Sequence, residues 1–473
     1  MKKELIAMGK EKHLSDSVRP FGMRDKLGYM FGDFGNDFTF ILSSSFLLKF
    51  YTDVMGVSAG IVGIAMMVSR FLDAFTDVAM GRICDTGKMT AAGKFKPWIL
   101  RMCGPVAIAS FLIYQSSFAG MSMTFKVAWL FITYILWGSV FYTSINIPYG
   151  SMASAVSAEP GDRQSLSTFR SIGATLAGVV IGSGVPILAY DTVEGREILN
   201  GGRFTIIAGI FSLLAVGCYL LCYFMTTERV KPEKNGKSNG FSLGGMLKSI
   251  FTNQALLSII AISILILLAQ LSLQSMANYV FPNYYGDTKA QAASTILMMA
   301  VTFFCAAITK PLVVKYGKKE LSIAGSAIAV VGFLLILFVR PSNVWVYVGF
   351  TLLVYLGLGI YTMVSWALIT DVIDYSELKN GVREDGTVYA VYSFSRKLGQ
   401  AASSGLTGGL LTMIGYTAAT AFDPEVVNGI YNIAAIVPAA GFILVILVLW
   451  FWYPLDKKTV DANVAALKEK HGE

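Results

Sequence analysis

Apolar residues run along this chain in blocks of about twenty, the length of an α-helix that crosses a hydrocarbon core, and short segments rich in Lys, Arg, Gly and Pro separate them. Blocks near residues 29–51, 58–83, 98–118, 126–155, 167–190 and 204–226 predict six spanning helices. Blocks near 253–283, 292–314, 321–340, 345–372, 388–415 and 430–453 predict six more. Between the two sets, TTERVKPEKNGKSNG (residues 226–240) mixes charge with Gly and Pro and reads as a solvated linker. The expected division is residues 1–227 for an N-terminal six-helix bundle with its tail, 228–252 for the linker, and 253–473 for a C-terminal bundle with its tail.

With 55% hydrophobic and 14% charged residues over 473 positions, the chain is too apolar for a soluble protein of this size. The net charge of +8 does not imply nucleic acid, because the basic residues are spread over many short segments between spans. Placing both tails and the linker on one side puts most Lys and Arg there, so the positive-inside rule predicts cytosolic termini. The first 28 residues lack an apolar signal region. Five cysteines fall in or beside spans without paired spacing, and His13 and His471 lie in the tails, so a proton relay would fall to Asp, Glu, Lys or Tyr. GKMTAAGK (residues 87–94) lacks the spacing of a phosphate loop, and no HExxH is present, which argues against an enzyme. Filter-like repeats of a channel are absent too.

Charge inside the spans is the informative exception. In SRFLDAFTDVAMGRICD (residues 69–85), Asp73 and Asp77 are four apart, so both leave one face of a helix, with Arg70 one turn below Asp73. Each Asp at mid-membrane opposes insertion by roughly 2.5 to 3.5 kcal/mol. Two readings follow: an internal ion pair that fixes packing, or a cation or proton site beside a watery cavity. Asp33 and Asp37 repeat the spacing on the first helix, and Lys49, Arg170, Lys310, Arg396 and Lys397 supply basic groups. Asp371 and Asp374, at the cytosolic end of the tenth span, read with Arg70 and Asp85 as a gating network. Gly81-x3-Asp85-x-Gly87-Lys88 recurs as Pro311-x3-Lys315-x-Gly317-Lys318 after the eighth span, an echo of two related halves. Six plus six helices with matching loops describe the major facilitator architecture: an all-α membrane protein of twelve spanning helices in two bundles that rock about a midplane site.

Beyond these patterns, the chain resembles the glycoside-pentoside-hexuronide:cation symporter family of the major facilitator superfamily over nearly its whole length. The resemblance is carried by YTDVMGVSAGIVG from Tyr51, SRFLDAFTD from Ser69, GKFKPWIL from Gly93, NIPYGSMASA from Asn146, DVIDYSELKNGVREDG from Asp371 and SFSRKLGQ from Ser393. It implies a coupling-cation site at Asp73, Thr76, Asp77 and Thr143, with Thr76 in place of a family asparagine, which weighs against sodium. It implies sugar contacts at Asp37, Arg170 and Lys397; Asn146 and Arg396 are further candidate contacts. Asn146 and Gly150 stand where a galactoside carrier of the family has an aspartate and a tryptophan. One site carboxylate fewer, with Arg170, Arg396 and Lys397 kept, suits an anionic sugar.

The expectation is a symporter of a bacterial cytoplasmic membrane, taking in a glycoside, foremost a glucuronide, with a proton or, as the alternative, sodium. Lipids surround it, and no further cofactor is expected. Lys397 is expected to face Asp37 and Arg170 across the cavity; the competing reading is that Arg396 or Lys397 only neutralises Asp37 or Asp77. Competing readings are a carrier of neutral β-glycosides or pentosides, and a membrane sensor or lipid-handling protein.

Overall fold

The computed structural model describes residues 19–87, 89–90, 92–230, 253–380 and 385–471. In hydrocarbon every backbone N–H and C=O must find a partner within its own segment, so apolar blocks of this length fold as helices. In the N-terminal half these are α1 (Met23–Asp53), α2 (Ala59–Thr86), α3 (Lys96–Ile113), α4 (Met123–Val156), α5 (Pro160–Leu188) and α6 (Gly201–Met225). In the C-terminal half they are α7 (Gln254–Tyr285), α8 (Thr288–Tyr316), α9 (Lys318–Val339), α10 (Val344–Asn380), α11 (Asp385–Met413) and α12 (Pro424–Trp452). Among the described residues, ten of these helices are apolar enough by composition to cross a membrane. The other two, α1 and α11, carry Asp33, Asp37 and Lys49 and Arg396 and Lys397, while α2 and α5, among the ten, carry Arg70, Asp73 and Asp77 and Arg170.

Each set of six packs mainly within itself: α1 lies against α5 and α6, and α7 against α11 and α12. The halves meet along three seams, α2 with α11, α5 with α8, and α1 with α7. Small residues set the first. A Cβ on Gly408 would fall 2.4 Å from the carbonyl oxygen of Ala59 and 2.9 Å from the Cα of Gly63, so the two backbones touch there.

Three features depart from the sequence expectation. Between α5 and α6 the chain forms a two-stranded antiparallel hairpin, β1 (Tyr190–Val193) and β2 (Arg196–Leu199), which defines a hairpin face opposite the face that carries both termini. Its turn places Glu194 and Gly195 at φ of 50° and 76°, the positive values that two-residue hairpin turns require. After α12 the tail forms another helix, α13 (Lys457–His471), anchored by Lys457 Nζ to the carbonyls of Val314 and Lys315.

The third departure concerns the linker, whose first residues are docked. The amides of Arg229 and Val230 donate to the carbonyl of Ala155 at 2.7 and 2.9 Å, and the Arg229 and Arg19 guanidiniums both pair with buried Asp25. Glu228 accepts the backbone N–H groups of Lys94, Phe95 and Lys96 at 2.6 to 2.9 Å, where the positive end of α3 favours an anion. Residues 231–252 of the expected linker lie outside the described residues.

Candidate functional site

A cavity of about 400 Å³ lies between the halves, walled by α1, α5, α7, α8 and α11. Asp37 enters it from α1, Gln270 and Gln274 from α7, and Arg396 and Gln400 from α11. Asp37 and Arg396 are half-buried there and make no direct hydrogen bond or ion pair among the described residues. The Arg396 guanidinium lies 6.0 and 5.9 Å from the ring centres of Trp366 and Tyr392.

Toward the hairpin face the cavity is sealed. Lys49, only 1% exposed, pairs with Asp53 at 2.7 Å, donates to Asn283 Oδ1 at 2.7 Å and Tyr416 Oη at 2.8 Å, and sits 4.6 Å from the centre of the Tyr279 ring. Asn283, Tyr416 and Tyr279 come from the other half, so a fully desolvated lysine closes this face. Asn278 Nδ2 on α7 adds a bond to the carbonyl of Ser45 on α1.

Beside the cavity α2 holds the paired carboxylates against α4. Asp73 Oδ1 accepts from Ser139 Oγ at 2.6 Å, and Oδ2 pairs with Arg70 at 2.8 Å. Asp77 Oδ1 accepts from Thr143 Oγ1 at 2.9 Å, and Oδ2 takes the ammonium of Lys397. All four carboxylate oxygens therefore have donors. A π-helical stretch of α4, Leu136–Tyr142, carries Gly138 and Ser139 into this contact, and a Cβ on Gly138 would come within 3.1 Å of Ser69 Oγ. Arg70 also reaches Tyr134 Oη at 3.1 Å and stacks 5.0 Å from the Phe40 ring centre.

Several expected residues stand elsewhere than the sequence suggested. Lys397 does not face Asp37 and Arg170; its ammonium turns to α2 and meets Asp77 and, at 3.0 Å, the carbonyl of Asp73. The reason is spacing on α11: Arg396 and Gln400 share the stripe that lines the cavity, which points Lys397 about 100° away. Arg70 is not part of a terminal-face gate, because it lies fifteen residues, about 22 Å of helix, from Asp85 and at the depth of Asp73. Asp371 pairs with Lys318 at the start of α9, a contact inside one half, and Asp374 follows one turn on. The side chain of Asp85 lies outside the described residues.

Thr76 Oγ1 is spent on its own helix, donating to the carbonyls of Leu72 and Asp73, and does not reach either carboxylate. Arg170 pairs with Asp33 at 2.9 Å over the Tyr149 ring, one turn before Ala174, which lines the cavity. Asn146 accepts from Asn36 at 3.3 Å, and Asn36 in turn accepts from Tyr219, so Asn146 braces α4 against α1. Ser139, Tyr134 and Asn36 carry no sequence signal of their own, since uncharged polar residues in spans are common; only Asn36 stands next to a candidate residue, Asp37.

A family model described as MFS/sugar transport protein matches residues 28–457. The chain belongs to this family. It is thus one of the glycoside-pentoside-hexuronide:cation symporters of the major facilitator superfamily. Among relatives of this transporter, an uncharacterized symporter of Bacillus subtilis is 31% identical over 99% of this chain and 98% of its own. The glucuronide carrier protein homolog of Escherichia coli is 30% identical over 92% and 93%, and the isoprimeverose transporter of Lactiplantibacillus pentosus is 31% identical over 95% and 92%. Among solved structures, a D-xylose-proton symporter superposes with a TM-score of 0.64 at 14% identity, covering 91% of this chain and 97% of that one. A bacterial homolog of the lysosomal transporter Spinster, inward-facing and unoccupied, gives 0.65 at 12% identity over 94% and 97%. These likenesses establish the major facilitator fold, and the chain is a multi-pass membrane sugar transporter, not an enzyme.

Proposed function

We propose that this transporter is a proton-coupled symporter that brings an acidic glycoside, foremost a glucuronide, into the cell by alternating access. The observation that carries the reading is the division of labour between Arg396 and Lys397. Three carboxylates already have their counter-ions, Asp73 with Arg70, Asp33 with Arg170 and Asp77 with Lys397. Arg396 is left facing the cavity without an ion pair, a bidentate fork suited to a carboxylate. The names of relatives span both charge types: the glucuronide carrier homolog and a sulfoquinovose importer on the acidic side, and the isoprimeverose transporter on the neutral side.

The donors around Asp73 and Asp77 support a proton as the coupling cation. A sodium ion needs several oxygens that point lone pairs at it, and here Lys397 and Arg70 occupy two of the carboxylate oxygens. A proton on Asp77 needs only that Lys397 be released. Neutralising Asp77 removes the ion pair between α2 and α11, so proton loading and the movement of the halves act on one contact. The positive-inside rule puts the termini in the cytosol, which makes the sealed hairpin face the outer one.

The test is uptake by proteoliposomes under an imposed pH gradient, comparing a labelled glucuronide with the glucoside of the same aglycone. Arg396→Gln is expected to cost about 1.5 to 3 kcal/mol for the glucuronide, roughly 10- to 150-fold in affinity, and far less for the glucoside. Equal losses for both sugars, or wild-type uptake that a protonophore leaves intact, would overturn the reading.

A further inference from the structure

The wall that α7 gives to the cavity is a stripe of amides. Gln270, Gln274 and Asn278 stand at i, i+4 and i+8, a row about 12 Å long on one helix face, longer than a single six-membered ring. Asn278 is tied down: its Nδ2 donates to the carbonyl of Ser45 at 2.5 Å, and its Oδ1 accepts from Gln291 Nε2 at 2.7 Å. That relay fixes the direction of both amides and leaves Gln291 Oε1 as a buried acceptor with no partner. Gln270 and Gln274 are half-buried, and neither side chain makes a direct hydrogen bond among the described residues. On the adjoining wall, α11 presents Arg396 and Gln400, also four apart, and Ser272 holds the two helices together through Ser403 and Thr407, both at 3.2 Å.

A primary amide offers a donor and an acceptor side by side, which matches two neighbouring hydroxyls of a sugar. It gives little to an aromatic ring, and a lone buried acceptor such as Gln291 Oε1 calls for a hydroxyl and repels a carboxylate. The volume of about 400 Å³ lies in the range of roughly 300 to 1,000 Å³ that holds ligands larger than one ring. We propose that Gln270 and Gln274, with Gln291 behind them, form a second subsite for the neutral, hydroxyl-bearing ring of a disaccharide-sized glycoside, beside the anion end at Arg396. The orientation, acidic ring at Arg396 and neutral ring along α7, rests on the function proposed above; the subsite itself does not.

The experiment is equilibrium binding to the purified full-length protein of three probes: a glucuronosyl disaccharide, its neutral glucosyl counterpart and a nitrophenyl glucuronide. Wild type is expected to bind the glucuronosyl disaccharide at least 10-fold more tightly than the nitrophenyl glucuronide. Gln270→Leu with Gln274→Leu is expected to erase that advantage while the nitrophenyl glucuronide stays within 2-fold, which also reports that the variant is folded. Gln274→Asn, which only shortens one amide, is expected to erase part of it. Equal binding of disaccharide and nitrophenyl glucuronide by wild type, or parallel losses for both in the variants, overturns the subsite. If both disaccharides bind alike and better than the nitrophenyl glucuronide, the subsite stands and the acidic-substrate reading falls; binding of none of the three overturns both.

Discussion

Lys397 on α11 gives its ammonium to Asp77 on α2, across the seam between the halves, and both side chains are about four-fifths buried. The cation beside Asp77 is therefore one of the protein's own. Replacing Lys397 with Gln leaves Asp77 with Thr143 alone, and uphill accumulation is expected to fail while exchange of sugar for sugar persists. Because Lys397 balances a carboxylate and does not meet the cavity, glucuronide and glucoside affinities should fall in parallel. Uptake and exchange assays on the same vesicles separate the two.

Asp77→Asn should likewise abolish concentrative uptake, since an amide hydrogen-bonds but neither carries nor releases a proton. Combined with Lys397→Gln it removes both charges, so the double variant is expected to be more thermostable than either single one, each of which strands a partly buried ion. Melting of the purified variants is the measurement; additive losses would mean that the pair contributes no coupling energy.

One anionic sugar with one proton carries no net charge. A potassium-valinomycin potential at equal pH on both sides is expected to give no accumulation, whereas a pH gradient alone drives it. If a second cation travels, each 100 mV contributes about 2.3 kcal/mol per charge and the potential becomes effective.

At the hairpin face, Lys49→Met removes the ammonium that Asn283, Tyr416 and the Tyr279 ring share. Losing those contacts weakens the closed hairpin face and, with the termini cytosolic as proposed, shifts the population toward outward-open. A cysteine placed at Ser44, on the cavity wall, should then label faster with an impermeant thiol reagent from the outside. An unchanged labelling rate would remove Lys49 from the seal.

Glu228→Gln tests the docked end of the linker. The carboxylate holds three backbone N–H groups at the start of α3, and an amide that turns its NH2 toward them loses at least one. A loss of roughly 1 to 3 kcal/mol in stability is expected, read as a lower melting temperature with substrate affinity unchanged.

The twelve spans were legible because hydrocarbon admits few alternatives, and the charge positions on α1, α2 and α11 were legible because each one stands out in an apolar run. Partner choice was not. Whether Lys397 meets Asp37 or Asp77 depends on how α11 is rotated against α2, and one residue of sequence moves a side chain about 100°. Ser139 and Tyr134 carry no charge, so nothing in the sequence separates them from ordinary span residues. The docking of Arg229 and Glu228 needed Asp25 and the start of α3, partners over a hundred residues away in sequence.

The contact of Gly408 with Ala59 and Gly63 makes the α2–α11 seam a fulcrum near one end of a long lever. Asp77 is fourteen residues from Gly63 along α2, about 21 Å, and Asp85 about 33 Å. A rotation of about 15° around the glycines, the size of known rigid-body switches, sweeps the far end by roughly 8 to 9 Å and the Asp77 carboxylate by about 5 Å. The glycines hardly move. A single ion pair placed part-way along such an arm would part early in the swing, so one contact between Asp77 and Lys397 is geared to the displacement of the whole opposite face.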